Sequence, residues 1–100
     1  MNSGYYAVIF TSTTRDNLSD YQEWSEKMML LAAKSPGFIS VETARSAIGI
    51  TVSYWEDLDS ISNFKNLVDH KYAQRKGREQ WYKQYRVRVC RVERDYSFSN

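Results

Sequence analysis

The chain contains one histidine, His70. Its ordinary pKa of about 6.5 makes it the side chain readiest to accept a proton at neutral pH. Around it stand Trp55, Phe64, Trp81, Tyr82 and Tyr85, residue types that line a flat apolar pocket for a planar ligand. Tyr54 and Tyr72 carry hydroxyls able to donate a hydrogen bond to a ligand oxygen. Arg86 and Arg88 alternate along one segment and could stabilise an oxyanion or hold a carboxylate. Each group also has a plainer use. The histidine could bond a backbone carbonyl at a helix end, the aromatics could be core or subunit contact, and the arginines a row of ion pairs. Cys90 reads as a small buried apolar residue and not as a nucleophile. No Gly-rich phosphate loop, metal-ligand spacing or Ser-His-Asp arrangement is visible, so no metal is expected. A single cysteine excludes an internal disulfide and leaves no cysteine cluster for zinc.

Tyr5 to Ser12 (YYAVIFTS) must be a strand that is apolar on both faces. Tyr5, Ala7 and Ile9 point one way, and Tyr6, Val8 and Phe10 the other. Asp16 or Asn17 is placed to cap a first helix near residues 17–34, with Asp20 in its first turn. Its apolar stripe is Leu18, Tyr21, Trp24, Met28, Leu31 and Ala32, and Ser35-Pro36-Gly37 stops it. Phe38–Arg45 and Ile48–Trp55 form a hairpin. Asp57 caps a second helix, near 57–75, with the stripe Leu58, Ile61, Phe64, Leu67 and Val68. His70 falls three residues after Leu67, at the border of that stripe. Gly77 interrupts this helix, and 78–82 form a turn or short helix. A last strand runs from about Tyr85 to Phe98, and its change of phase predicts a bulge near Cys90-Arg91.

The order β-α-β-β-α-β predicts an α+β, ferredoxin-like fold. Two main helices would cover one face of an antiparallel four-stranded sheet. The first strand demands cover on both faces, and in so short a chain the missing cover is most simply a second copy, so a homodimer is expected.

At 100 residues there is room for one domain, residues 1–100, with an ordered core of about 5–96. A hydrophobic content of 42% with 26% charged residues is that of a globular chain and not of a disordered one. The N-terminus has no basic region with an apolar run of signal-peptide length, and no segment approaches a membrane span. A cytoplasmic protein is the resulting expectation. Between Lys71 and Arg94 nine Lys/Arg face two Glu, a net +7, leaving −5 for the rest of a chain whose total is +2. Such a patch can meet an anion or the acidic half of a second subunit. A nucleic-acid partner is not expected, because the pI of 8.7 is below the value above about 9 common in such domains.

Several motifs then carry a resemblance across nearly the whole chain. Pro36-Gly37-Phe38, the strand Gly49–Trp55 (GITVSYW), His70-x-x-Ala73, Gly77-Arg78-x-x-Trp81-Tyr82 and Val92–Tyr96 (VERDY) resemble the antibiotic biosynthesis monooxygenase family. That resemblance implies a dimeric α+β barrel in which each last strand supports the partner. It implies a monooxygenase that needs no cofactor and acts with dioxygen on an aromatic, quinol-like or polyketide substrate. His70 would then be the base that deprotonates a phenol or enol, Tyr72 or Arg86 the stabiliser of the oxygen atom, and Trp55, Phe64, Trp81, Tyr82 and Tyr85 the walls. Phe64 stands where active members usually present a Trp. The family's haem-degrading members would have their catalytic His at Gln74 and an Asn at Phe10 or Thr11, so haem chemistry ranks below the cofactor-free reading. A ligand-binding barrel without turnover is the alternative from another class.

Overall fold

The computed structural model describes residues 4–16, 18 and 20–100. The chain runs β1 (Tyr6–Thr14), α1 (Tyr21–Ala33), β2 (Phe38–Arg45), β3 (Gly49–Trp55), α2 (Leu58–Lys65), α3 (Val68–Lys76), a π-helical turn (Gly77–Trp81) and β4 (Tyr82–Arg91). The four strands form one antiparallel sheet in the order β2-β3-β1-β4. This is the α+β, ferredoxin-like arrangement expected from the sequence.

Register divides the sheet into two faces. Tyr6, Val8, Phe10 and Ser12 align with Trp55, Ser53, Thr51 and Gly49 on β3. They align with Arg91, Val89, Val87 and Tyr85 on β4. This face carries the helices. The opposite face presents Ala7, Ile9 and Thr11 beside Tyr54, Val52 and Ile50, and beside Cys90, Arg88 and Arg86. Among the described residues no helix packs on it, and Ile50 is 46% exposed. Cys90 is half-buried there and not in the core, because its register puts it opposite Ala7 on the open face.

The second helix is broken where a continuous one was expected. Leu67 adopts extended backbone (φ −66°, ψ 145°), so the helix stops at Lys65 and restarts at Val68. The break exposes Leu67. Leu58, expected within the stripe, is also half exposed. At the start of α2 the expected cap is present. Asp57 Oδ1 accepts from Ser60 N at 2.8 Å and from Ser60 Oγ at 2.7 Å. Those bonds hold its carboxyl below the usual range and satisfy a free N–H of the first turn. The turn into β2 uses Gly37 at φ +84°, where a side chain would be strained and would also collide with Ser60.

α1 begins at Tyr21, later than residue 17, and its first turn is not capped by Asp16. Asn17 lies outside the described residues. Asp20 occupies the cap position, but its carboxylate serves a tertiary contact. It accepts from Trp81 Nε1 at 2.8 Å and pairs with Lys76 at 3.4 Å. The indole N–H and then Lys76 hold that carboxyl below its ordinary pKa.

β4 also departs from expectation. It ends at Arg91, and its register past Cys90 is unbroken. One more rung follows, from Val92 N to Tyr5 O at 2.8 Å and from Gly4 N to Val92 O at 2.9 Å. Residues 92–100 are not strand, so the last strand stops short of the expected Phe98. Tyr96 and Phe98 are each 88% exposed. The irregularity lies at the other end, where Lys83 is the extra residue opposite Thr13-Thr14.

Candidate functional site: an aromatic cavity between helices and sheet

A cavity of about 450 Å³ lies between the helical layer and the covered sheet face, within the range of small-molecule sites. Val8, Phe10, Val87 and Val89 form its floor, and Trp24, Met28, Phe64 and His70 line it from the helices. Val87 and Val89 line it yet remain about half exposed, so the cavity opens toward the β4 edge.

His70 reaches this space because of the helix break. Its Nδ1 lies 3.3 Å from Lys65 O, the carbonyl of the last residue of α2. A carbonyl can only accept, so the neutral ring carries its proton on Nδ1 and Nε2 is left as the basic atom. The ring packs 4.4 Å from Phe64, which lies 5.3 Å from Trp55. Burial pushes the His70 pKa below its ordinary value, against a smaller opposing pull from the Lys65 carbonyl. The imidazole is therefore uncharged at pH 7 and able to take a proton.

Trp55, 1% exposed, anchors this end, with Phe38 at 5.4 Å and its Nε1 donating to Ser53 Oγ at 2.9 Å. At the other end Trp81 and Tyr82 are presented by the π-helical turn, a feature often found at functional sites. Gly77 lets the Tyr82 ring approach to where a side chain would sit. Tyr82 packs against Phe10 at 5.4 Å and Tyr21 at 5.8 Å, and its hydroxyl donates to Tyr21 Oη at 3.4 Å. Burial first, and the Tyr21 hydroxyl second, push its pKa well up, so it stays a donor. Tyr85 stacks 5.4 Å from Phe10.

Of the residues singled out in the sequence, His70, Trp55, Phe64, Trp81, Tyr82 and Tyr85 come together around this cavity. Tyr72 and Arg86 do not. Tyr72 sits between α3 and α1, 4.6 Å from Trp24 and beneath Arg75 at 5.5 Å. Arg86, like Arg88, is turned to the open face by its register with Thr11. Tyr54 is on that face too, donating to Glu42 Oε1 at 2.8 Å, which raises its pKa.

Two arginines escaped the sequence reading. Arg15 binds the end of the π-helical turn, from Nε to Tyr82 O at 3.0 Å and from Nη1 to Glu79 O at 3.1 Å. Arg45, at the end of β2, lines the cavity and donates to Ser12 Oγ. Alternation alone marks Arg45 only as an exposed strand residue. Among the described residues no cluster of three His, Cys, Asp or Glu side chains is placed to hold a metal ion. No described helix is long and apolar enough to cross a membrane.

No protein-family model matches the chain. The uncharacterized protein YqjZ of Bacillus subtilis (strain 168) is 47% identical over 96 residues, 94% of this chain and 84% of that protein. Two solved structures share the fold at low identity. SnoaB, a cofactor-independent oxygenase from Streptomyces nogalater, superimposes with a TM-score of 0.78 at 10% identity, covering 93% of this chain and 97% of SnoaB. A Nitrosomonas europaea protein described as a candidate antibiotic biosynthesis monooxygenase gives 0.76 at 7%, covering 91% and 92%. The chain therefore belongs to the family of Bacillus subtilis YqjZ, built on the fold of antibiotic biosynthesis monooxygenase-like proteins.

Proposed function

We propose that this protein is a cofactor-independent monooxygenase that oxidises a planar aromatic or quinol-like substrate with dioxygen. The observation that carries the reading is His70, a neutral imidazole fixed by Lys65 O inside an aromatic-walled cavity. The likeness of fold to SnoaB agrees with it. His70 Nε2 takes a proton from an acidic C–H or O–H of the substrate. The anion passes one electron to dioxygen, and the substrate radical and superoxide combine into a peroxide. Loss of water leaves a carbonyl. Overall a CH₂ and O₂ become C=O and H₂O, so the substrate supplies every electron. Phe64 and Trp55 wall the His70 end where the ring system reacts, and Tyr85 walls the cavity at the Ser12 end. Tyr72 and Arg86 have no part in this step within one chain, since neither reaches the cavity.

An oxygen electrode with anthrone tests the reading. Expected are uptake well above the protein-free rate and one anthraquinone formed per O₂ consumed. Uptake equal to the protein-free rate would overturn it. Tight binding without product would assign a ligand-binding barrel instead, and a Soret band on adding haemin would point to haem.

The open sheet face belongs to the same proposal. Ile9, Ile50 and Val52 need cover that the described residues do not supply, and Arg86 and Arg88 share that face with Glu42. A homodimer packed through this face would bury the apolar rows and pair these charges. Light scattering is expected to give twice the chain mass of 11.8 kDa, and Val52→Lys should halve it. A wild-type monomer at micromolar concentration would remove the dimer from the proposal.

A further inference from the structure

We infer that the cavity selects an anionic aromatic, with Arg45 as the group that recognises its carboxylate or acidic oxygen. This deepens the oxygenase reading, from which it takes the aromatic body of the ligand. Every charged side chain described along the cavity is cationic or can become so: Arg45, Lys65, Arg78 and His70. Among the described residues no Asp or Glu lines it, so its potential favours an anion.

Arg45 is held for this task by a device that spans three strands. In the register Arg45 lies opposite Gly49, and Gly49 lies opposite Ser12. The guanidinium crosses over Gly49 to reach Ser12 Oγ. A side chain at Gly49 would occupy the same space, its Cβ falling 2.0 Å from Arg45 Nη2. The fork also lies 5.8 Å over the Tyr21 ring, whose hydroxyl accepts from Tyr82 Oη at 3.4 Å. Among the described residues no carboxylate lies within ion-pair distance of it. A planar donor fork over an aromatic ring and without an acid matches the two oxygens of a carboxylate. Ser12 stands six residues along β1 from Tyr6, the partner of Trp55. This cationic end is therefore displaced along the strand from the Trp55 end by about 20 Å, at about 3.3 Å per residue.

Calorimetric titration under anaerobic conditions, with 1-hydroxy-2-naphthoate and with 1-naphthol, tests the assignment. The wild type is expected to bind the naphthoate at least about tenfold more tightly, as one charge-assisted hydrogen-bonded contact provides. Arg45→Gln should lose about tenfold on the naphthoate and leave naphthol unchanged, with Arg45→Lys intermediate. Gly49→Ala keeps every polar group but displaces the fork, and should lose the same selectivity. A thermal melt confirms that each variant is folded. Equal binding of the two probes by the wild type, no binding of the naphthoate, or full retention in Arg45→Gln would overturn the inference. Selective binding without oxygen uptake would uphold it and reject the oxygenase reading. Uptake of oxygen without selectivity would do the reverse.

Discussion

His70→Ala is expected to lower the protein-dependent oxygen uptake of the proposed reaction by at least ~10²-fold, the usual contribution of a positioned general base. The variant should fold, because among the described residues the imidazole contributes one carbonyl contact and one ring contact. Phe64→Ala should instead weaken substrate binding, since it removes a wall and no proton acceptor. The pH profile adds a readout that a purely structural histidine would not move. The pKa of His70 lies below its ordinary value, through burial, so kcat/KM should rise through that lowered pKa and be flat by pH 7. His70→Ala should abolish that limb. The same shift enters stability. Below about pH 6.5 the unfolded chain binds a proton on this residue more readily than the folded one. Stability therefore falls as the pH drops through that window and is constant above it, and His70→Gln should flatten the dependence. Wild-type turnover in His70→Ala would assign the base to water or to the substrate.

Trp55→Ala should be the most destabilising single change, by about 3–5 kcal/mol as for other buried Trp or Phe truncations. The side chain is 1% exposed, packs on Phe38 and Phe64, and donates its indole N–H to Ser53. At about 4–8 °C per kcal/mol for a domain of this size, the melting temperature should fall by at least about 12 °C. Leu58→Ala, at a half-exposed position, should change stability far less. Urea titrations at one fixed protein concentration make the comparison, because association would otherwise contribute. A loss below about 1 kcal/mol would mean that the Phe38, Phe64 and His70 end can collapse onto the space left.

Much of the architecture was legible in the residues. Period-two alternation separates Ala7 and Ile9 from Val8 and Phe10 onto opposite faces, and Asp57 marks the start of α2. The aromatic wall was readable too, because large apolar side chains at strand and helix spacing have few places to go. The rest was set by contacts distant in sequence. Asp20 is a sound helix cap by type, yet the indole of Trp81 takes its carboxylate. The end of β4 depends on where β1 begins, which no local pattern contains. Tyr72 and Arg86 carry the right chemistry, but helix packing and strand parity turn them from the cavity. Arg45 shows the converse. Its role rests on a missing side chain at Gly49 and a hydroxyl at Ser12, two positions that only the register of three strands brings beneath one guanidinium.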